Sequence, residues 1–224
     1  NAGTTAAEYN ALTGVSGATT ANEAAYLAAI AANEGPFTSP ATEAEVLAMI
    51  TRVNAAESLL ADIGTDAANG DNATTAGTTA AEYNALTGVS GAIAANEAEY
   101  LAAIAANEGP FTSPATEAEV QAMITRVNAA ENLLADIGTD AAAGDNTNTT
   151  GTTAAEYNAL TGVSGAIAAN EAEYLAAIAA NEGPFTSPAT EAEVQAMINR
   201  VNAAESLLAD IGTDAGNGDN ATTA

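Results

Sequence analysis

The spacing of apolar positions predicts a chain built from helices of unequal length. Near the start, the segment from Thr5 to Glu8 has the Thr-x-x-Glu form of a capping box, in which the two side chains satisfy free backbone amides at a helix start. Tyr9 and Leu12 then fall on one helical face, and Gly14 is expected to end the pattern. The first predicted helix is therefore short.

A second, medium-length helix is predicted from about Ala18 to Glu34. Its pattern is clearest in the middle of the chain, where Ile93, Tyr100 and Ile104 follow helical spacing. The prediction therefore places Ile93 on the buried side of this helix.

A third helix, the longest, is predicted to begin at Ser39 and Pro40, or one turn later at Thr42. Its apolar stripe is formed by Val46, Ile50, Val53, Leu60 and Ile63. Gly64 is the expected stop. A helix of about 20 residues would be about 30 Å long.

The whole pattern occurs three times. The sequence Gly-Thr-Thr-Ala-Ala-Glu-Tyr-Asn starts at Gly3, Gly77 and Gly151, an interval of 74 residues. We name the three segments copies 1, 2 and 3, and they comprise residues 1–74, 75–148 and 149–224. Self-similarity at a fixed period indicates a repeat architecture. The predicted fold is all-α, with a short, a medium and a long helix making each copy a small three-helix unit.

Two arrangements of the copies are open: independent domains on flexible linkers, or copies stacked end to end. A domain of this size buries only about 60% of the surface that its unfolded chain exposes, so contacts with a neighbour would stabilise it. The first helix is also too short to cover the long third helix. Stacking is therefore favoured, with neighbouring copies as partners and an ordered connector from Gly64 to Thr78.

The charge balance narrows the external partners. The chain has 29 acidic residues, three arginines and no Lys or His, which gives a formal net charge of −26. Proteins that bind nucleic acid or anionic membrane surfaces need clusters of Lys and Arg, so neither partner is expected. No run reaches the roughly 20 apolar residues that cross a bilayer, so membrane insertion is not expected either.

Catalytic chemistry has few candidates here. The absence of His, Cys and Lys removes most general bases, thiolate nucleophiles and Schiff-base amines. Carboxylate pairs such as Glu43 with Glu45 have the chemistry for glycoside hydrolysis, but helical spacing places them on polar faces near a helix start. No catalytic residue and no enzyme activity are predicted.

Each copy contains one basic residue, and these are Arg52, Arg126 and Arg200. The positions three and four residues from Arg52 hold only Ala and Met, so its own helix offers no ion-pair partner. A structural ion pair with a carboxylate on another helix or on an adjoining copy is predicted. Ligand binding is the alternative.

The connector after the third helix carries acidic side chains and Gly, which suit calcium. The candidate ligands are Asp66, Asp71, Asp140, Asp145, Asp214 and Asp219. The spacing does not match an EF-hand, because aligning Gly70 with the loop glycine puts Thr65 and Ala67 at the first two ligand positions. The alternative is a polar turn that ends the helix and links two copies. No other cofactor is expected.

The connector also contains Asn-x-Thr sequons at Asn72, Asn148 and Asn220. In an exported protein these asparagines are candidate glycosylation sites. The alternative is chance, since a connector rich in Asn and Thr produces sequons readily.

In its near-identical copies, its Ala-, Thr-, Asn-, Asp- and Gly-rich composition and its helical pattern, the whole chain resembles the tandem helical repeats of long secreted or surface-anchored bacterial adhesins and stalks. It is less similar to albumin-binding three-helix modules, which have a shorter period and contain Lys. The resemblance implies an extracellular or cell-surface location and a spacer or stalk function. Two alternatives are a weak binding module that gains avidity by repetition and a subunit of a bacterial or archaeal surface filament.

Overall fold

All regular secondary structure is helical in the part of the chain that the computed structural model describes, which is residues 3–35, 37–109 and 111–218. No strand occurs in those ranges. The predicted all-α class is confirmed.

The order short, medium, long recurs along the chain. The α-helices are α1 (Ala6–Asn10), α2 (Glu23–Ala31), α3 (Glu43–Asn69), α4 (Ala80–Asn84), α5 (Glu97–Ala105), α6 (Glu117–Ala143), α7 (Ala154–Tyr157), α8 (Glu171–Ala179) and α9 (Glu191–Asn217). One turn of 3-10 helix precedes each medium helix, at Thr20–Asn22, Ala94–Asn96 and Ala168–Asn170.

Capping boxes define where the short and long helices begin. The Thr5 side chain accepts a hydrogen bond from the Glu8 amide, and the Glu8 carboxylate accepts one from the Thr5 amide. The same reciprocal pair joins Thr42 and Glu45 at the start of α3. Of the two predicted starts for the long helix, the later one at Thr42 is therefore the real one.

The predicted stop at Gly64 is wrong. Helix α3 continues through Gly64 to Asn69 and has 27 residues, so it is about 40 Å long. It ends at Gly70, which adopts a left-handed conformation with φ of 73° and donates its amide to the Asp66 carbonyl oxygen. Gly64 lies in the helix interior, and its role there is a close packing contact described below.

The medium helices are shorter than predicted, and Ile93 is not buried. Ile93 is exposed and precedes the 3-10 turn in an extended conformation, so helical spacing does not apply to it. The medium helix of copy 1, α2, ends at Ala31. Just after this end, Asn33 has a positive φ of 53° and the Glu34 amide donates a hydrogen bond to the Ala29 carbonyl oxygen.

The chain divides into two units, residues 1–125 and 126–224, and the division falls inside α6. In the first unit, α3 packs against two medium helices, α2 before it and α5 after it. The half of α3 that precedes Asn54 joins a buried cluster formed by Ala6, Tyr9, Val15, Ala18, Tyr26, Ala29, Met49, Ile50 and Val53. The later half buries Leu60, Ile63 and Ala67.

In the second unit, the end of α6 shares one buried cluster with copy 3. Leu134, Ile137 and Ala141 come from α6, and the other members come from copy 3: Ala154, Tyr157, Leu160, Val163, Ala166, Tyr174, Ala177, Ile178, Ala189, Val194, Met197, Ile198 and Val201. The long helix that closes copy 2 therefore supplies part of the core of copy 3.

Each copy buries one tyrosine pair. The tyrosine of each short helix meets that of the following medium helix edge to face, with ring centroids 5.6 Å apart. The pairs are Tyr9 with Tyr26, Tyr83 with Tyr100, and Tyr157 with Tyr174.

Among the described residues, no helix combines the length and apolar character that crossing a membrane requires.

Candidate functional site at the junction between copies

The connector between copies 1 and 2 is held by one buried carboxylate, that of Asp66. Its two oxygens accept hydrogen bonds from the backbone and hydroxyl groups of both Thr74 and Thr75, with the shortest at 2.7 Å. Asp66 is fully buried near the end of α3, eight and nine residues before these donors. This carboxylate ties the turn after the helix back onto the helix itself.

These hydrogen bonds change the acidity of Asp66. Burial by itself raises the pKa of the carboxyl, because it disfavours the charged form, but the bonds from Thr75 and Thr74 outweigh burial. The net result is a pKa lowered from 3.8 to about 2. Asp66 is therefore ionised in neutral solution and stabilises the connector as an anion.

Copy 2 uses the same arrangement with one change of residue. Asp140 accepts hydrogen bonds from the amides and side chains of Asn148 and Thr149, and the pKa of Asp140 is also lowered although burial opposes the change. Asn148 occupies the position of Thr74, eight residues after the aspartate.

Four of the six aspartates predicted as calcium ligands, Asp66, Asp71, Asp140 and Asp145, accept hydrogen bonds from the connector. Asp71 accepts a hydrogen bond from the Ala73 amide, and Asp145 accepts one from the Thr147 amide, as in short polar turns. Asp214 is buried, and Asp219 lies outside the described residues. Within the described ranges, no group of three or more acidic side chains is close enough to hold a metal ion. Around Asp66, Asp71, Asp140 and Asp145 these hydrogen bonds have the geometry of the polar-turn alternative, and calcium binding stays a prediction.

The sequons differ in what their asparagines do. Asn72 is half-buried in the turn, whereas Asn148 donates its side-chain nitrogen to Asp140 at 2.6 Å. A glycan on Asn148 would attach at that same nitrogen. Asn220 lies outside the described residues. Glycosylation stays a prediction.

At Gly64 the backbone of copy 2 approaches α3 of copy 1 closely. A Cβ atom at Gly64 would lie 2.6 Å from the Thr112 carbonyl oxygen and 2.9 Å from the Ala115 nitrogen. One turn earlier in α3, the Leu60 carbonyl oxygen accepts a hydrogen bond of 2.9 Å from the Ala115 amide. Gly138 has the same relation to Thr186 and Ala189, 2.6 and 2.8 Å away. Only glycine fits these helix positions without moving backbone.

Glu34 links Arg52 of its own copy to copy 2. The Arg52 guanidinium donates to the Glu34 carboxylate at 2.8 Å and to the Glu34 carbonyl oxygen, so the cation pairs outside its own helix. The Thr87 hydroxyl donates to the same carboxylate oxygen at 2.9 Å. The hydrogen bond from Arg52 is the main reason that the pKa of Glu34 is lowered.

Copy 3 has the equivalent ion pair in a looser form. Arg200 lies 3.9 Å from Glu182, the equivalent pair in copy 3, and that carboxylate is mostly exposed. Arg126 is not free. The ion pair is thus tighter in copy 1 than in copy 3, and in copy 1 a threonine of the following copy also approaches it.

Glu117 brings a third acidic group to this junction. Burial, together with the charges of Glu34 and Glu57, raises the pKa of Glu117, while a hydrogen bond from the Thr87 amide opposes the change. The carboxylates of Glu34, Glu57 and Glu117 are therefore close enough to influence one another's charge where copies 1 and 2 join. The like charges oppose docking slightly, and the apolar contacts beside them favour it.

An open groove lies beside each junction. The first has a volume of about 500 Å³ and is lined by Arg52, Leu59, Asp62, Glu82 and Leu86 among others. The second, at the equivalent residues Arg126, Leu133, Asp136, Glu156 and Leu160, has a volume of about 360 Å³. The grooves have mixed apolar and polar walls.

A polar network inside copy 1 is not visible in the sequence. The Asn54 side-chain oxygen accepts hydrogen bonds from Tyr26 and Asn22, and its nitrogen donates to the Gly17 carbonyl oxygen. Asn202 makes the equivalent contacts in copy 3. An Asn within a helix is usually exposed on the protein surface. The one signal in the sequence is that each copy has an Asn at this position, on the apolar side of the long helix.

Comparison with protein-family models, with curated proteins and with solved structures finds no match to this chain.

Proposed function

We propose that this chain is a spacer or stalk segment of an extracellular surface or adhesin protein, in which successive helical copies stack end to end. One observation carries the proposal: the long helix of one copy contributes Leu134, Ile137 and Ala141 to the core of the next. A shared helix prevents neighbouring copies from moving independently, because separating them would expose apolar side chains to water. Such coupling is what a spacer needs to keep its length.

The polar groups of the junction support the same function. Asp66 accepts hydrogen bonds that join α3 to the connector. Thr87 donates a hydrogen bond to Glu34 that joins copy 2 to copy 1. Ordering the connector costs about 1 to 2 kcal/mol per residue, which these hydrogen bonds and the adjacent apolar contacts offset. We propose a structural role without catalysis for these residues. The net charge of −26 suits a surface that stays dispersed outside a cell in salt.

The test compares two fragments of the chain. Residues 75–148 contain copy 2 alone, and residues 43–148 add the long helix α3. We expect the longer fragment to fold cooperatively by circular dichroism and urea denaturation, and the shorter one to be much less stable. Equal stability would mean that the copies are independent domains and would refute the stacked spacer.

A length series tests the function more directly. Chains of two, three and four copies, studied by small-angle X-ray scattering, should gain an equal increment in maximum dimension with each added copy. A control series carries Ile63→Glu and its equivalents at the internal junctions. Broad dimensions in both series would contradict the spacer.

A weak, repeated binding module is the second candidate, and the recurring groove favours it. Grooves of similar lining at each junction would add avidity to a weak ligand. Chemical shifts of groove residues during titration with neutral monosaccharides and short peptides test this candidate. Shifts that recur at both junctions would support it, and unchanged spectra would exclude those ligand classes.

A further inference from the structure

The end of α9 exposes an apolar face whose equivalents in the other copies are buried. Leu208 and Ile211 are 60% and 49% exposed, whereas Leu60 and Ile63 are 7% and 0% exposed. Gly212 has open space beside it, although Gly64 and Gly138 each meet the backbone of a following copy. We call this surface, formed by Leu207, Leu208, Ile211 and Gly212, the C-face.

Copy 1 exposes the complementary surface. Ile30 is 41% exposed, whereas its equivalent Ile104 is fully buried. Leu12 and Ala41 are also exposed, whereas their equivalents in copy 2, Leu86 and Ala115, are buried. We call the surface formed by Leu12, Ile30 and Ala41 the N-face.

The two junctions inside the chain show that the equivalents of the C-face pack against the equivalents of the N-face. In the second unit, the residues equivalent to the C-face, Leu134 and Ile137, share a single buried cluster with Leu160, Ile178 and Ala189, which are the equivalents of the N-face. The Ala189 amide also donates to the Leu134 carbonyl oxygen at 2.9 Å. The same backbone contact joins Ala115 and Leu60 in the first unit. The chain therefore contains this interface twice and exposes one further half of each kind.

We propose that the C-face of one molecule docks onto the N-face of a second copy of this chain, with the contacts of the internal junctions. Thr13 of the second molecule would then donate to Glu182, as Thr87 does to Glu34. Because the two faces differ, the contact is heterologous. Each docked molecule keeps one free face, and association continues head to tail beyond the dimer.

The proposal goes beyond the spacer function, which concerns copies within one chain. It predicts self-association of separate molecules through two specified faces. Like charges oppose the contact, since each chain carries a net charge of −26, and salt screens this repulsion. The association should therefore be measured in NaCl concentrated enough to screen the net charge.

Sedimentation velocity of the full chain over a wide concentration range tests the proposal. The weight-average mass of the wild type should rise with concentration beyond that of a dimer. The C-face variant Leu208→Glu with Ile211→Glu, and the N-face variant Ile30→Glu, should each lose this rise. The control Ala209→Glu should keep it, since Ala209 is exposed and so are its equivalents Ala61 and Ala135. Circular dichroism verifies that all variants remain helical.

Mixing the two variants gives the decisive measurement. The C-face variant keeps an intact N-face, and the N-face variant keeps an intact C-face, so an equimolar mixture should form dimers and stop there. A wild type that stays monomeric at every concentration would overturn the proposal. So would an N-face variant that still associates, a mixture that does not pair, or a control that loses association together with the others. None of these outcomes bears on the stacking of copies within one chain.

Discussion

The amide of Ala115 donates a hydrogen bond of 2.9 Å to the carbonyl oxygen of Leu60, so the backbone of copy 2 bonds to a helix of copy 1. The partner oxygen lies in the interior of α3, between Glu43 and Asn69. Backbone can approach a helix this closely only where a side chain is missing, and Gly64 provides that opening one turn later. The contact explains why a glycine occupies the middle of a long helix.

Replacing Gly64 with alanine should destabilise the chain. The new Cβ would lie 2.6 Å from the Thr112 carbonyl oxygen, so backbone must move, at a cost of about 1 to 3 kcal/mol. The matched control is Gly212→Ala, where nothing lies within 4 Å and alanine should stabilise the helix by up to about 1 kcal/mol. Urea denaturation in dilute solution measures both. A Gly64→Ala variant as stable as the control would contradict the close approach.

Truncating Ile63 should be costly, and truncating Ile211 should not. Ile63 is fully buried at the junction, and isoleucine-to-alanine changes in cores cost about 2 to 5 kcal/mol. Ile211 is the equivalent residue in α9 and is 49% exposed, so its replacement should change stability by less than about 0.5 kcal/mol in dilute solution. Thermal and urea unfolding of the two alanine variants provide the comparison. Similar losses in both would show that the following copy does not protect Ile63.

Asp66 should make stability depend on pH in acid. Its pKa is lowered from 3.8 to about 2, so its contribution is complete above pH 3.8 and is lost as the pH falls towards 2. The stability advantage of the wild type over Asp66→Asn should therefore shrink by about 2 kcal/mol across this range. Urea denaturation at pH 6, 4 and 2 gives the difference. The control Asp71→Asn changes an exposed carboxylate whose hydrogen bond to Ala73 is local. Parallel pH profiles for the wild type and Asp66→Asn would refute the role of Asp66.

Neutralising Glu117 should stabilise the junction in neutral solution. Burial and the charges of Glu34 and Glu57 raise its pKa, so the folded state binds the proton more tightly than the unfolded state does. The contribution of Glu117 is therefore most favourable at low pH and is lost as the pH rises through its folded pKa. Glu117→Gln should gain on the order of 0.5 kcal/mol at pH 7, and the gain should vanish in acid. Glu43→Gln is the control, because Glu43 is the equivalent residue of copy 1 and is exposed. A gain that persists at low pH would indicate a cause other than charge.

Local chemistry explains which parts of the fold were predictable. The capping boxes at Thr5 and Thr42 involve residues three positions apart, so the sequence alone places the short helix start at Thr5 and gives Thr42 as one of two starts for the long helix. The helical class follows in the same way from apolar spacing and abundant alanine. The need for a distant partner for Arg52 could also be predicted, because its own helix offers none. The identity of that partner, Glu34, could not.

Gly64 and Asp66 show where prediction from sequence ended. A glycine and an acidic cluster after a helical stripe are typical of a helix stop and a polar or metal-binding loop. Both residues instead lie inside α3, because their partners come from farther along the chain: Thr112 for Gly64, and Thr74 and Thr75 for Asp66. Such partners are absent from any local pattern.

The helical class and the starts of the short helices follow from the sequence alone, since these depend on residues close together in the chain, and the period of 74 residues is visible directly in the sequence. Which side chains are buried depends instead on how the copies pack. Leu60 and Leu208 occupy the same position in nearly identical copies, yet one is 7% and the other 60% exposed. Burial at this position depends on whether another copy packs against it, and that is a property of the neighbour rather than of the local sequence.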